Sequence, residues 1–141
     1  MKGQCLCAAV EFELDAPIAK LYQCHCSLCR KVSGSASNSA LIIPAAQFRW
    51  IKGAQSISNF ENSSGFKSDF CANCGSPLPN LTRDDQCYWV PVGLLDDSEQ
   101  LSIAAHLYIG SKARWDIPAA SGQHFDEMPD AEVLTQLLSS E

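Results

Sequence analysis

The chain has 141 residues, 46% of them apolar and 18% charged, which suits one domain with a sizeable core and excludes disorder as the default. The formal net charge is −6 and the sequence pI is near 4.9. With the ten Lys and Arg scattered singly or in pairs such as Arg30-Lys31, the chain lacks the concentrated basic surface that a nucleic-acid or anionic-membrane partner needs.

At the N-terminus, Met1-Lys2-Gly3-Gln4-Cys5 is followed by no apolar h-region, and no later stretch approaches the length needed to span a bilayer. The expected location is the cytoplasm, where thiols are kept reduced. Ala9–Asp15 alternates strictly, with Val10, Phe12 and Leu14 on one side and Glu11, Glu13 and Asp15 on the other, so it predicts a strand with one wet face ended by Pro17. Ser27–Ser33 predicts one short helical turn, punctuated by Ser27 or by Ser33-Gly34. Short β-like runs follow at Ala40–Ile43, Phe48–Ile51, Ile57–Phe60 and Phe66–Phe70, separated by Pro44, Lys52-Gly53 and Asn62–Gly65. Such spacing predicts antiparallel hairpins. Cys87–Leu95 reads as a strand that Pro91 places at an edge or bulge, and Ile103–Ile109 is a further strand. Gly110–Pro129 looks irregular. Asp130 then caps a C-terminal helix whose Val133, Leu134, Leu137 and Leu138 form an apolar stripe. One mostly-β domain over residues 1–141 is the economical reading.

Seven of the eight cysteines fall into three clusters: Cys5/Cys7, Cys24/Cys26/Cys29 and Cys71/Cys74. In a reducing compartment, C-x-C and C-x-x-C spacing points to metal more than to a disulfide framework. A C-x-x-C turn brings two sulfurs to one point and usually ends in Gly, as Cys74-Gly75 does here. Cys5/Cys7 and Cys71/Cys74 together supply four thiolates, enough for one closed zinc that ties the N-terminal strand to mid-chain. The alternative for them is four separate buried thiols. Cys24, Cys26 and Cys29 grip one face of a second ion and leave a position open for chemistry. Between them, His25 points away and reads as a surface or outer-sphere imidazole. Cys87, beside Tyr88 and Trp89, reads as a small buried hydrophobe.

Zinc with three thiolates carries a net negative charge and suits a soft anionic ligand, so thiol addition to a carbonyl is more plausible than hydrolysis by bound water. That charge calls for nearby donors, either backbone N–H groups of the short helix or cations such as Arg30 and Lys31.

The sequence resembles the glutathione-dependent formaldehyde-activating enzyme (GFA) family, which also includes centromere protein V. The resemblance lies in Gly3–Val10, in Cys24–Lys31 with Ser33-Gly34-Ser35, in Phe70–Ser76, in Gly93–Asp97 and in Ser111–Trp115. In that order these pieces span roughly residues 3 to 130. The resemblance implies a β-tent fold of stacked antiparallel sheets, with a structural zinc at Cys5, Cys7, Cys71 and Cys74. It also implies a second, labile zinc at Cys24, Cys26 and Cys29, where the glutathione chemistry is assigned, hence two zinc ions per chain. The family's named reaction is that of S-(hydroxymethyl)glutathione synthase, a carbon–sulfur lyase acting on glutathione and formaldehyde. Two positions depart from the family pattern. Ala8 stands where Gly is usual, and Arg114 stands where many members have Pro.

The leading expectation is therefore a zinc-dependent carbon–sulfur lyase acting on glutathione or another small thiol. Arg30, Lys31 and Lys112 are candidate receivers of the tripeptide's carboxylates. A non-enzymatic zinc scaffold is the alternative. A thiol redox enzyme stands behind both, because it would need Cys87 as a nucleophile outside the metal sites, as in the methionine sulfoxide reductases. The sequence assigns no oligomeric state.

Overall fold

In a computed structural model the described residues are 1–139. They form a mainly β fold with three sheets and two α-helices. In chain order the elements are β1 (Lys2–Gln4), β2 (Glu11–Leu14), β3 (Lys20–Cys24), α1 (Ser27–Ser33), β4 (Asn38–Pro44), β5 (Phe48–Lys52), β6 (Ile57–Glu61), β7 (Lys67–Cys71), β8 (Pro77–Leu78), β9 (Asn80–Leu81), β10 (Cys87–Pro91), β11 (Ser102–Leu107), β12 (Gln123–His124) and α2 (Ala131–Leu138). The chain divides into two compact units, one of Met1–Ala16 with Ile42–Ser98, the other of Pro17–Leu41 with the chain from Glu99 onward.

The first unit contains the antiparallel sheets β1-β2-β5 and β6-β7-β8 and the β9–β10 hairpin. Alternation in β2 works as the sequence predicts. Val10, Phe12 and Leu14 are buried, while Glu11 and Glu13 face outward and pair across the sheet with Lys52 (2.7 Å) and Arg49. Such surface pairs add little stability. The core of this unit is apolar and aromatic. Phe48 stacks on Phe12 at 5.6 Å between centroids and on Tyr88 at 3.8 Å. Cys5, Val10, Cys71 and Leu78 form one buried cluster, flanked by Trp50, Ile57 and Cys74. Both cysteine pairs of this unit are thus built onto its core. Pro91 is the last residue of β10 and leads into a 3-10 turn at Val92–Leu94, so it ends the ladder and does not interrupt it.

The second unit carries the strand order β12-β11-β3-β4. β3 is antiparallel to β4, pairing Tyr22 with Ala40 and Cys24 with Asn38. Two pairings here are parallel, β3 with β11 and β11 with β12. The all-antiparallel expectation missed them because a parallel partner needs a long connection, and β3 ends at Cys24 whereas β11 starts only at Ser102. The parallel register sets Cys24 beside Leu107, so the C-terminal ends of both strands share one edge. Helix α2 packs on β3 and β11 through Leu134, the one residue of its stripe that is fully buried; Val133 is exposed. Asp130 sits at the N-cap, but its carboxylate makes no cap hydrogen bond. No helix among the described residues is long and apolar enough to cross a membrane.

Candidate metal centres

In the first unit the sulfurs of Cys5, Cys7, Cys71 and Cys74 lie within 4.8 Å of one another. Cys5 Sγ is 3.6 Å from Cys7 Sγ, and Cys7 Sγ is 3.8 Å from Cys71 Sγ. A tetrahedral zinc with Zn–S bonds of about 2.3 Å spaces its sulfurs about 3.8 Å apart, so the four donors fit that ion in number, kind and separation. A disulfide needs about 2.05 Å, and all eight cysteines are free.

Local chain geometry explains the convergence. In the first knuckle, Ala8 N–H donates to Cys5 O at 2.9 Å and Val10 N–H donates to Cys5 Sγ at 3.3 Å. Ala8 closes this turn in the left-handed region, with φ of 57°. In the second knuckle, Gly75 N–H donates to Cys71 O at 2.8 Å, and Gly75 takes the left-handed conformation (φ 76°) that suits glycine. Ser76 joins the two knuckles. Its hydroxyl accepts from Leu6 N–H at 3.0 Å and lies 3.3 Å from Cys74 Sγ. That hydroxyl is the main reason the Cys74 thiol is lowered to about 5, and the Asn73 side chain is the main influence lowering Cys7. Both shifts favour the thiolate, the form that binds metal.

In the second unit Cys24, Cys26 and Cys29 bring their sulfurs within the same 4.8 Å. Cys24 is the last residue of β3. Cys26, in extended conformation, is the N-cap of α1, and its sulfur accepts from Cys29 N–H at 3.4 Å. Gly34 ends the helix in the left-handed region. One short turn therefore supplies all three sulfurs, and among the described residues no fourth Cys, His, Asp or Glu joins them. The three thiols share protons unequally. A hydrogen bond from Cys29 holds Cys24 down to about 6, while that bond and burial push Cys29 well above the ordinary thiol range.

His25 is not on the surface but 1% exposed, in the middle of a buried chain that the sequence reading missed. Its Nδ1 lies 2.6 Å from Asp116 Oδ2, and its Nε2 lies 3.0 Å from His106 Nδ1. His106 Nε2 in turn lies 3.0 Å from Ser121 O. A carbonyl only accepts, so His106 Nε2 carries a hydrogen. Burial is the main reason His106 is lowered, which favours the neutral ring; its Nδ1 then accepts from His25 Nε2–H. A hydrogen must also lie between His25 Nδ1 and Asp116, because a bare carboxylate and an unprotonated ring nitrogen cannot bond each other. Gly122, with φ of 85°, shapes the Ser121 end of the chain, where a Cβ would meet Ile103 O at 2.9 Å.

Two further groups stand near the triplet. Tyr108 follows Leu107 and holds a left-handed backbone (φ 56°), a strained conformation for a non-glycine residue. Its phenol is raised by burial first and then by the Cys24, Cys26 and Cys29 sulfurs. Arg30 bonds Ser111 O through Nη2 at 3.4 Å, and its buried Nε has no hydrogen-bond partner. Among the described residues no carboxylate lies within ion-pair range of Arg30. Lys31 is exposed, and Lys112 Nζ is engaged with Asp116 O at 3.0 Å. Cys87 is half-buried in β10, its main chain held on both sides by Thr82 Oγ1. A cleft of about 310 Å³ in the first unit, lined by Trp50, Phe60, Asp69 and Tyr88 among others, contains none of the clustered cysteines.

Comparison with known proteins adds to this geometry. The sequence model of the family described as "Glutathione-dependent formaldehyde-activating enzyme" matches residues 1–111. A Halomonas elongata protein, provisionally named a glutathione-dependent formaldehyde-activating enzyme, is 29% identical over 84 residues, or 55% of this chain. The match covers 54% of that relative, so the chain spans about half its length. A crystal structure of a Rhodobacter sphaeroides protein superposes with a TM-score of 0.57 at 28% identity, covering 68% of this chain and 88% of that one.

Proposed function

This chain belongs to the glutathione-dependent formaldehyde-activating enzyme family, and we propose that it is a zinc-dependent carbon–sulfur lyase resembling S-(hydroxymethyl)glutathione synthase. It would join glutathione, or a similar small thiol, to formaldehyde or another small aldehyde. The observation that carries this reading is the convergence of three sulfurs from one turn, with no fourth donor among the described residues. In this proposal Cys24, Cys26 and Cys29 hold a labile catalytic zinc and Cys5, Cys7, Cys71 and Cys74 a structural one. The chain then works as one GFA-type domain over residues 1–141 in the cytoplasm, where its thiols stay reduced.

Zinc held by Cys24, Cys26 and Cys29 would supply the Lewis acidity that keeps a sulfur ligand deprotonated near neutral pH. In the synthetic direction a bond forms between the substrate sulfur and the aldehyde carbon. The carbonyl π pair moves to oxygen, and the proton lost from the thiol ends there as a hydroxyl. No oxidant or reductant enters. Tyr108, whose phenol is raised and so stays protonated, would donate a hydrogen bond to that oxygen in this reading. Arg30, with no carboxylate in ion-pair range among the described residues, and exposed Lys31 would present positive charge to a thiol substrate bearing carboxylates. Lys112 is committed to Asp116 O and contributes less.

Exchange spectroscopy on equilibrating glutathione and formaldehyde tests the proposal. Zinc-loaded protein should accelerate interconversion with the hydroxymethyl adduct, and Cys26→Ser should abolish the acceleration. An unchanged rate with protein carrying two zinc ions per chain would refute the activity.

A further inference from the structure

The carbon–sulfur chemistry makes no use of the buried side chains behind the triplet. We propose that the Asp116–His25–His106 chain is a positioning device, which orients the Cys24–Cys29 turn from behind and thereby sets how tightly the triplet holds its metal. The inference rests on reading Cys24, Cys26 and Cys29 as metal ligands.

His25 is flanked in sequence by two of the three sulfur donors, so a backbone rotation at residue 25 shifts Cys24 relative to Cys26. Every hydrogen-bonding group of its main-chain N–H and ring is occupied. The N–H donates to Leu107 O at 2.9 Å, Nδ1 meets Asp116 at 2.6 Å and Nε2 meets His106 at 3.0 Å. His106 is held in turn by Ser121 O at 3.0 Å. Asp116 lies 91 residues from His25 in sequence and His106 lies 81, so strand pairing and the later loop must fold together before the turn is fixed.

Apolar packing could keep the turn in place, but it is non-directional and would leave the imidazole free to turn. A ring bonded at both nitrogens cannot rotate without breaking two buried hydrogen bonds, each costly to leave unmade. His25 is 1% exposed, His106 0% and Asp116 8%, so water does not replace a lost partner easily. Asp116 is itself fixed through its main chain, whose N–H donates to Ala113 O at 3.0 Å and whose carbonyl accepts from Lys112 Nζ at 3.0 Å. Groups that orient ligands from outside the coordination sphere typically change metal affinity ten- to a hundredfold when removed. Among the described residues, the four-sulfur site has no such chain of buried ionisable side chains. It is built onto an apolar cluster and serves as an internal control.

The test is chelator competition at fixed pH on the full chain loaded with zinc, resolving a tight and a labile class. Asp116→Asn should weaken the labile class about ten- to a hundredfold, leave the tight class unchanged and shift the thiolate charge-transfer band of cobalt bound at the triplet. Asp116→Glu, which keeps the carboxylate, should recover part of the affinity. If Asp116→Asn does not fold, His106→Gln leaves the His25–Asp116 bond in place and should change the labile class in the same direction. Unchanged labile affinity in the folded variants, or equal weakening of both classes, overturns the positioning role. A wild-type protein that binds no second metal overturns the ligand assignment and this inference with it.

Discussion

The two cysteine clusters gather the same donor atom within 4.8 Å, yet their surroundings differ in kind. Cys5, Cys7, Cys71 and Cys74 come from two knuckles far apart in sequence, and Cys5, Cys71 and Cys74 pack with Val10, Leu78, Trp50 and Ile57, with no buried His, Asp or Glu among these described residues. Cys24, Cys26 and Cys29 come from a single turn, backed by two buried histidines and a buried aspartate. A closed set of thiolates on an apolar core can do little except tie chain segments together. An open set with polar groups behind it and a phenol nearby can bind, orient and exchange a ligand. In the proposed reading, the environment, more than the sulfurs, separates a structural staple from a reaction centre.

The largest expected effect tests that division directly. Cys71→Ser should remove the structural metal and with it the cooperative melt of the protein, followed by circular dichroism. Structural zinc contributes about 10–16 kcal/mol of apparent binding free energy, as much as a domain's whole stability. Cys26→Ser should leave the melt nearly intact and remove only the labile metal. Equal melts for the two variants would erase the distinction.

Next in size is Tyr108→Phe. If the phenol donates to the carbonyl oxygen, turnover should fall on the order of a hundredfold while two zinc ions remain bound. Full activity in that variant would reduce Tyr108 to a strained corner of the fold.

A smaller effect, about tenfold per pH unit for each proton released, is expected at the triplet. Metal binds thiolates, so a thiol that is protonated in the metal-free protein must lose its proton on binding. Cys29 is pushed above the ordinary thiol range and remains protonated well past neutrality, whereas Cys24, held down to about 6, is largely thiolate at pH 7. Raising the pH from 7 to 8 should therefore tighten the triplet's metal by about tenfold or more, the proton displaced from Cys29 accounting for the first factor of ten. Competition titrations at the two pH values measure it, and a flat profile would contradict the unequal sharing of protons.

Local features were legible in the sequence, and long-range ones were not. The alternation of Val10, Phe12 and Leu14 marks β2, Ser27–Ser33 is the observed helix, and the four β-like runs from Ala40 to Phe70 all fall on strands. Each is a pattern within one stretch of chain. β3 went unseen because Lys20–Cys24 is short and does not alternate; two adjacent residues, Leu21 and Tyr22, are both buried. Its parallel pairing with β11 has no signature in either strand. Asp116 was hidden for the same reason. An acidic residue between Trp115 and Ile117 is a faint cue to burial, but its partner His25 is 91 residues away. The cysteine clusters were readable because ligand spacing is local; what stands behind them was not, because it is assembled by the fold.

Ala8 provides the smallest and sharpest test. It sits at φ 57°, a conformation costing an L-residue about 1–2 kcal/mol, in the turn that brings Cys5 and Cys7 together. Glycine would relieve that strain but costs about 0.4–1 kcal/mol in unfolded-chain entropy. The balance predicts that Ala8→Gly stabilises the protein by about 0.5–1 kcal/mol. The gain should appear as a raised midpoint in denaturant with an unchanged slope, and the triplet's metal affinity should stay where it was. A destabilised variant would mean that the Ala8 methyl makes a contact worth more than its strain. A change in the labile metal would mean that the clusters are energetically linked, and their separate roles would need to be redrawn.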